Sequence, residues 1–518
     1  MINSAEIEEI IAKNALTYDL LPYESKPFPQ SQPARLAAIA QIFELKPKAL
    51  PRARVLELGC AAGGNIVPLA VQYPDAKFIG VDLSRKQVAA GRARIAKLGL
   101  KNIELQCKSF TELSDDVGKF DYIICHGVFS WVERPLQQAI FEITRDLLAP
   151  EGIAYISYNV LPGWRMMQPV RDAVLSQIPP SLDSANRVTA SMELLGFLAK
   201  SSSDDALYGK SLRQMAERLA QFPGDYFAHE FLEECNDPCT FSDFAARAND
   251  NGLAYLGDSD IQTMLVNNMG TVTASEILRR SNNSILQTEQ LMDLVNGRTF
   301  RASLLVHAAA GATLNRNLQP SCLDGLHLLS ASAMELKTVD GVTSLVVGGK
   351  NCYTVTGVAT VKALEKFIAG FPNSSTTSEL INKDSEKDEV KLSFYNLMLL
   401  GVVLPMSEPV KMSSTAAKQP KASKLATKDA ELGAAYTTNA RHETVYLDVA
   451  ARFILQNMQG KKSQSELVAA LMAEALAGRI MFTDGGTPAS SLEANAKIAE
   501  RHAGMMIGNL ARAAVLEA

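Results

Sequence analysis

What is scarce in this sequence narrows its chemistry first. The seven cysteines are odd in number and include no Cys-x-x-Cys pair, and 518 residues contain only six histidines. That usage fits reduced thiols in a cytoplasm and leaves little material for a metal cluster, so no metal site is expected. His-Glu-x-x-His and Gly-x-Ser-x-Gly are both absent, so nothing indicates a zinc hydrolase or a nucleophilic-serine enzyme. There is no basic excess: the formal net charge is −5, which argues against a dedicated nucleic-acid binder. No uncharged apolar run reaches the roughly 20 residues of a membrane span. The start, Ile7-Glu8-Glu9-Ile10, is acidic and amphipathic, unlike the basic n-region and apolar core of a signal peptide. A soluble cytoplasmic protein without membrane insertion is the expectation. Tryptophan is the scarcest aromatic, with two copies, Trp131 and Trp164.

What is present describes an ordinary folded protein, 47% hydrophobic and 21% charged. A chain of this length exceeds one core, and two to four domains are expected. Its most informative run is Val55-Leu56-Glu57-Leu58-Gly59-Cys60-Ala61-Ala62-Gly63-Gly64-Asn65, followed by Phe78-Ile79-Gly80-Val81-Asp82-Leu83. It reads as a buried strand, a small-residue turn, a helix and a second strand ending in an acid. That is the first βαβ unit of a nucleoside-binding sheet, the acid being placed to accept from ribose hydroxyls. A dinucleotide site wants Gly-x-Gly-x-x-Gly to seat a pyrophosphate; Gly59, Ala61 and Gly64 only approximate it. The series Glu57, Gly59, Ala61, Gly63 suits S-adenosyl-L-methionine instead, a ligand without phosphates whose sulfonium and ammonium a carboxylate complements. A nicotinamide site and a ligand-free turn are the competing readings.

The sheet continues. Residues 103–107 alternate as a third strand, 120–127 (FDYIICHG) form an apolar run suited to a central parallel strand, and 152–158 (GIAYISY) make a fifth. Helices over 84–98, capped by Ser84, and over 135–148 fill the gaps. Residues 166–231 are helical in pattern, after which 241–249 read as helix and 252–256 and 300–307 as strands. The late pieces are expected to close the sheet around a helical insertion; a separate α/β domain after residue 235 is the alternative. The expected fold is thus α/β, a doubly wound class I (Rossmann-like) methyltransferase sheet with a helical insertion and winged-helix-like C-terminal modules. A weak repeat suggests those modules: Phe367-Ile368 with Ser378-Glu379-Leu380-Ile381 recurs as Phe453-Ile454 with Ser465-Glu466-Leu467-Val468. Each copy ends in an apolar helix and a strand-like stretch, over 397–404 and 507–516. Between the copies, 412–428 (MSSTAAKQPKASKLATK) reads as a flexible linker. The expected boundaries are 1–165 for the cofactor core, 166–238 for an insertion that dimerises, 239–310 for the region closing the sheet, 311–410 for a middle module, 411–435 for the linker and 436–518 for the last module.

Methyl transfer from a sulfonium is an in-line displacement, so a protein mainly positions and desolvates the reactants. The groups nearest the methyl should follow strands four and five, where His126-Gly127-Val128-Phe129-Ser130-Trp131 and Tyr158-Asn159-Val160-Leu161-Pro162-Gly163-Trp164 stand. Both tryptophans lie here. Their faces suit a cationic centre, and packing loop against helix is the plainer reading. His126 reads equally as a base, a cofactor contact or a strand cap. Residues 17–29, rich in proline and aromatics, read as an extended flap, either folded over the cofactor or packed as an arm against another domain or subunit.

Residues 18–29 (YDLLPYESKPFP), ELGCAAGGN at 57–65, Val81-Asp82-Leu83-Ser84, CHGVFSWV at 125–132 and SYNVLPGW at 157–164 together resemble bacterial methyltransferases that carry a methyltransferase regulatory domain. His229-Glu230-Phe231-Leu232-Glu233-Glu234 resembles that regulatory region, and the branch is similar to the rickettsial outer-membrane-protein lysine methyltransferases. The resemblance implies S-adenosyl-L-methionine as donor, a protein substrate and a homodimer built through the helical insertion. It implies a cofactor site formed by Tyr18, by Glu57, Gly59, Cys60, Ala61, Gly63 and Asn65, by Asp82 at the ribose, by Leu83, by Ser109 and Phe110 at the adenine edge, and by His126 and Gly127. Trp131, Trp164, His126 and Asn159 would position the reacting groups. One departure stands out: many such enzymes hold the adenine amine with an acid after strand three, where this chain has Lys108-Ser109-Phe110, with Glu112 further on.

A nucleic-acid exocyclic-amine methyltransferase should show Asp/Asn-Pro-Pro-Tyr/Phe after strand four; Cys125-His126-Gly127-Val128 stands there. The expectation is methylation of a protein amine, foremost lysine side chains of a surface or envelope protein, with a small-molecule methyltransferase or a non-catalytic cofactor-binding scaffold as alternatives. A lysine ammonium of pKa about 10.4 must first lose its proton, at a cost of about 4 kcal/mol near neutral pH.

Overall fold

The computed structural model describes residues 9–12, 14, 19, 24–221, 224–484 and 486–517. Helix α1 (Pro33–Ile42) precedes a seven-stranded sheet made of β1 (Arg54–Leu58), β2 (Lys77–Asp82), β3 (Ile103–Cys107), β4 (Phe120–Cys125), β5 (Leu148–Asn159), β6 (Leu253–Asp258) and β7 (Phe300–His307). The spatial order is β3-β2-β1-β4-β5-β7-β6. Strands β1 to β5 run parallel, with Leu56 opposite both Ile79 and Ile123. Strand β7 inserts antiparallel between β5 and β6, setting Ser157 opposite Ala302 and Tyr255 opposite Leu305. This is the closed class I methyltransferase sheet expected from the sequence.

Helices explain why β1 reads as a buried strand and β4 as an apolar run. Helix α2 (Ile66–Gln72) and helix α3 (Arg85–Leu98), capped by the Ser84 hydroxyl accepting from the Gln87 amide, follow the first two strands. Helix α4 (Arg134–Leu147) covers the opposite face, so both faces of the central strands are buried. Strand order reverses between β1 and β4, and the crevice at their carboxyl ends is where such sheets hold ligands. Strand β5 begins ahead of the expected 152–158, at Leu148, and its pairing to β4 shifts register between Phe120 and Tyr122.

Between β5 and β6 stand α5 (Gln168–Gln177), α6 (Ser184–Ser201), α7 (Leu207–Leu219), α8 (Gly224–Phe231) and α9 (Phe241–Asp250). The first four build their own apolar core, in which Val170, Leu195, Leu212, Phe227 and Phe231 pack with Trp131 and Trp164. Helices α10 (Thr271–Ser281) and α11 (Ile285–Asn296) interrupt β6 and β7. The latter pair is locked by a buried ionic cluster: Arg301 meets Asp293 at 2.7 Å and Glu289 at 2.8 Å, while Arg298 reaches Asp258 at 3.4 Å. Each buried charge has opposite partners, as a dry interior requires.

Beyond the sheet, β8 (His327–Ser330) pairs with Ser375–Thr376 and Val403–Met406 in a three-stranded sheet, and 334–355 fold as a separate antiparallel meander. Leu328, Phe394 and Val403 belong to the same continuous core as Leu36 and Ile39 of α1. Residues 422–516 have a core of their own. Two expectations need correction here. The linker ends early: Lys424–Glu431 is a helix whose Leu425, Ala426 and Ala430 are buried, and Asp429 takes a bidentate ion pair from Arg94 of α3 at 2.8 and 3.0 Å. The strand-like stretch at 507–516 is mostly the end of helix Leu492–Arg512, leaving only a single bridge at Leu516. Among the described residues no helix is long and apolar enough to cross a membrane.

Candidate active site

A cavity of about 700 Å³ opens at the carboxyl ends of β1, β2, β4 and β5. Glu57, Gly59, Cys60, Ala61, Asn65, Asp82, Leu83, Ser109, Phe110, His126, Gly127, Trp131, Asn159 and Trp164 all line it, which gathers residues from five separate sequence segments. Gly63 is not in the wall. It serves the turn with a φ of +74°, and a Cβ there would meet Val67 Cγ2 at 2.8 Å. Tyr18 lies outside the described residues.

Charge in the cavity is held by burial. The Glu57 carboxyl sits at the end of β1; its Oε1 accepts from Asn65 Nδ2 at 2.7 Å and its Oε2 is buried without a partner. Loss of solvent raises its pKa to about 8, the Asn65 bond opposing and the Asp82 charge adding. Asp82 accepts from the Ala61 and Ser84 amides, both at 2.8 Å, yet burial still pushes its pKa above the ordinary carboxylate value. Ser109 caps the short turn after β3 in a reciprocal box with Glu112, whose carboxylate accepts from the Ser109 amide at 2.7 Å. Glu112 is thereby committed to the backbone and is absent from the cavity wall.

His126 stacks on Phe28 with ring centroids 3.7 Å apart, and its Nδ1 lies 2.8 Å from the Tyr155 hydroxyl. Burial depresses its pKa to about 3. A ring so weakly basic is neutral and poorly matched to general-base work at neutral pH. Trp131 and Trp164 meet edge to face, with centroids 6.3 Å apart and planes at 89°. Each lines the cavity and each packs into the core of the insertion. Trp164 Nε1 and Asn159 Nδ2 are buried donors without acceptors among the described residues.

The extended stretch at 24–28 lies across the cofactor loop rather than out against solvent. The Ser25 hydroxyl accepts from the Gly64 amide at 2.7 Å and the Phe28 amide donates to Asn65 Oδ1 at 2.9 Å. A Cβ on Gly64 would fall 1.8 Å from the Ser25 carbonyl oxygen, so only glycine permits this approach. Asp19 has helical backbone and accepts from the Ser84 hydroxyl at 2.6 Å. Sequence reasoning missed the far wall: Arg218, His229, Glu230 and Glu233 from the insertion and Tyr446 from the C-terminal domain also line the cavity.

Three family models match this architecture: a methyltransferase domain over 55–152, a predicted methyltransferase regulatory domain over 223–307, and a PKMT C-terminal winged helix domain over 418–515. The uncharacterized protein RP789 of Rickettsia prowazekii is 33% identical over 490 residues, spanning 90% of this chain and 88% of its own length. The chain belongs to the S-adenosylmethionine-dependent methyltransferases that carry this regulatory domain. Solved structures of PKMT2 from Rickettsia typhi superpose on this methyltransferase with TM-scores of 0.83 and 0.84 at 25% identity, covering 96% of this chain and 100% of theirs; the second holds AdoHcy. The winged-helix match confirms the C-terminal module of the expected fold, and the PKMT2 likeness extends it over nearly the whole chain.

Proposed function

We propose that this methyltransferase modifies amines of proteins, foremost lysine side chains, with the cavity at the strand ends as its active site. The observation that carries the reading is that a winged-helix module of PKMT type contributes Tyr446 to the wall of the cavity. A macromolecule seated on that module would meet the cavity directly, an arrangement that a small-molecule enzyme does not need.

The residues fit S-adenosylmethionine. Glu57 lacks a cation: an ammonium at Oε2 would pair a buried oxygen that now has no partner and return the carboxyl to its charged form. Asp82, at the end of β2, would take the ribose hydroxyls, and Leu83 and Phe110 would sandwich the base. When bound, the cofactor supplies a methyl group on a positively charged sulfur. The crossed tryptophan rings would offer that charge an aromatic face. Asn159 Nδ2 and Trp164 Nε1 would donate to an acceptor oxygen of the methionine moiety or of the incoming peptide. The strap at 24–28 and the helical insertion exclude water, which strengthens each of these contacts.

The test is to incubate the protein with methyl-tritiated S-adenosylmethionine and fractionated protein from envelope and cytosol, then hydrolyse the labelled material. Methyllysines are the expected product. Label confined to small molecules would overturn the reading, and tight donor binding with no label anywhere would make the protein a scaffold.

A further inference from the structure

One wall of the cavity is unused by the assignments above. It comes from α8, which packs Phe227, Ala228 and Phe231 into the same apolar cluster as Trp131 and Trp164 and turns Glu230 toward the cavity. Among the described residues, Glu230 Oε2 is buried with no partner. Across the same cavity, Asn159 and Trp164 are 4% and 5% exposed, and each offers an N–H donor with no acceptor. An orphaned acceptor among orphaned donors, all lining one cavity beside two indole rings, calls for a ligand that both donates and accepts. A primary amine on a peptide does so.

We propose that Glu230 is the base that takes the proton from the acceptor amine before methyl transfer. The proposal deepens the reading above and depends on it only in requiring an amine acceptor. An N–H bond of the ammonium breaks, its electron pair stays on nitrogen, and the proton forms an O–H bond on Glu230. The freed lone pair then forms the N–CH₃ bond as the C–S bond breaks with its pair left on sulfur, and Glu230 releases its proton to solvent. The charged groups around Glu230 are Arg171 of α5, whose guanidinium donates to the Glu230 carbonyl oxygen at 3.4 Å, Arg218 of α7, and His229 and Glu233, which lie 3.6 Å apart. Burial raises the Glu230 pKa to about 7 and Arg171 opposes the rise. A base poised there matches the operating pH.

The two tryptophans are the only ones in the chain and both line this cavity, so fluorescence of the donor-free protein, excited selectively at tryptophan and clear of the thirteen tyrosines, reports on the cavity. The proposal predicts a fluorescence transition near pH 7, lost in Glu230→Gln and kept in Glu193→Gln, an exposed carboxylate on α6. Glu230→Gln should lower transfer on the order of a hundredfold at neutral pH while leaving S-adenosylhomocysteine affinity unchanged. The deficit should shrink as the pH approaches the amine's own pKa, and Glu230→Asp should recover part of the rate. A transition that persists in Glu230→Gln, or a loss of rate equal at every pH, would overturn the proposal. If no amine proves to be the acceptor, the lysine reading fails on its own, because the fluorescence titration needs neither donor nor acceptor.

Discussion

His442 Nε2 lies 2.8 Å from Asn65 Oδ1, joining two residues 377 positions apart and tying the C-terminal domain to the cofactor loop. The Phe28 amide donates to the same oxygen at 2.9 Å, which turns Asn65 Nδ2 toward Glu57. His442 therefore carries its proton on Nε2, in keeping with the burial that holds its pKa near 3 and its ring neutral. A winged-helix domain is thus one side chain removed from the carboxylate at the heart of the site.

Removing that bond should loosen donor binding. His442→Ala leaves Asn65 Oδ1 with one buried partner fewer, a loss on the order of 1–3 kcal/mol, of which about 1.4 kcal/mol appearing in binding would be a tenfold weaker Kd. Titration calorimetry with S-adenosylmethionine measures it. His442→Gln, which can still donate, should recover part of the affinity. A folded His442→Ala protein with wild-type affinity would uncouple the C-terminal domain from the cofactor loop.

Glu57 should trade stability for function. Its folded pKa, about 8, stands above the ordinary 4.5. The folded state therefore binds the extra proton, and the stability this contributes is complete below pH 4.5 and lost as pH rises through about 8. The slope is up to about 1.4 kcal/mol per pH unit. Without donor, Glu57→Gln should remove that decline and melt higher than wild type at alkaline pH; with donor, it should bind more weakly. A melting temperature with the same pH dependence in both proteins would contradict the assignment.

The tryptophans call for conservative replacement. Alanine at either position would open a cavity in the core of the insertion at a cost of about 3–5 kcal/mol, obscuring any effect on transfer. Trp164→Phe keeps a ring and removes the orphaned Nε1 donor. Steady-state kinetics should show a lower kcat with donor affinity retained. Equal losses in both would return Trp164 to a packing role.

How much of this was legible beforehand varied with the range of the contact. Strands β1, β2, β4 and β7 announce themselves because local apolar runs and turn glycines fix them without reference to distant residues. The helix Lys424–Glu431 was hidden inside a lysine- and serine-rich stretch because the apolar part of its buried side is only Leu425, Ala426 and Ala430, too thin a stripe to register. The strap over Gly64, the Glu230 wall and the His442 contact were invisible for another reason. Each depends on segments that meet only in three dimensions, and no local pattern encodes the meeting. Gly63, a motif position expected at the ligand, stands outside the cavity wall and holds the turn with a positive φ.

The helical insertion presents apolar side chains to solvent, with Phe197 63% and Leu207 84% exposed. A homodimer built through this surface is the expected assembly. Light scattering should then give twice the chain mass for the wild type and the chain mass for a Phe197→Glu, Leu207→Glu double variant, with the melting temperature preserved. A monomeric wild type would contradict it.

The most direct test of the account is a crystal structure with S-adenosylhomocysteine, read as the distance from its amino nitrogen to Glu57 Oε2. The account predicts a hydrogen bond of about 2.7–3.2 Å, ribose hydroxyls on Asp82 and sulfur facing Trp131 and Trp164. A ligand seated elsewhere, or an amino group turned away from Glu57, would contradict it.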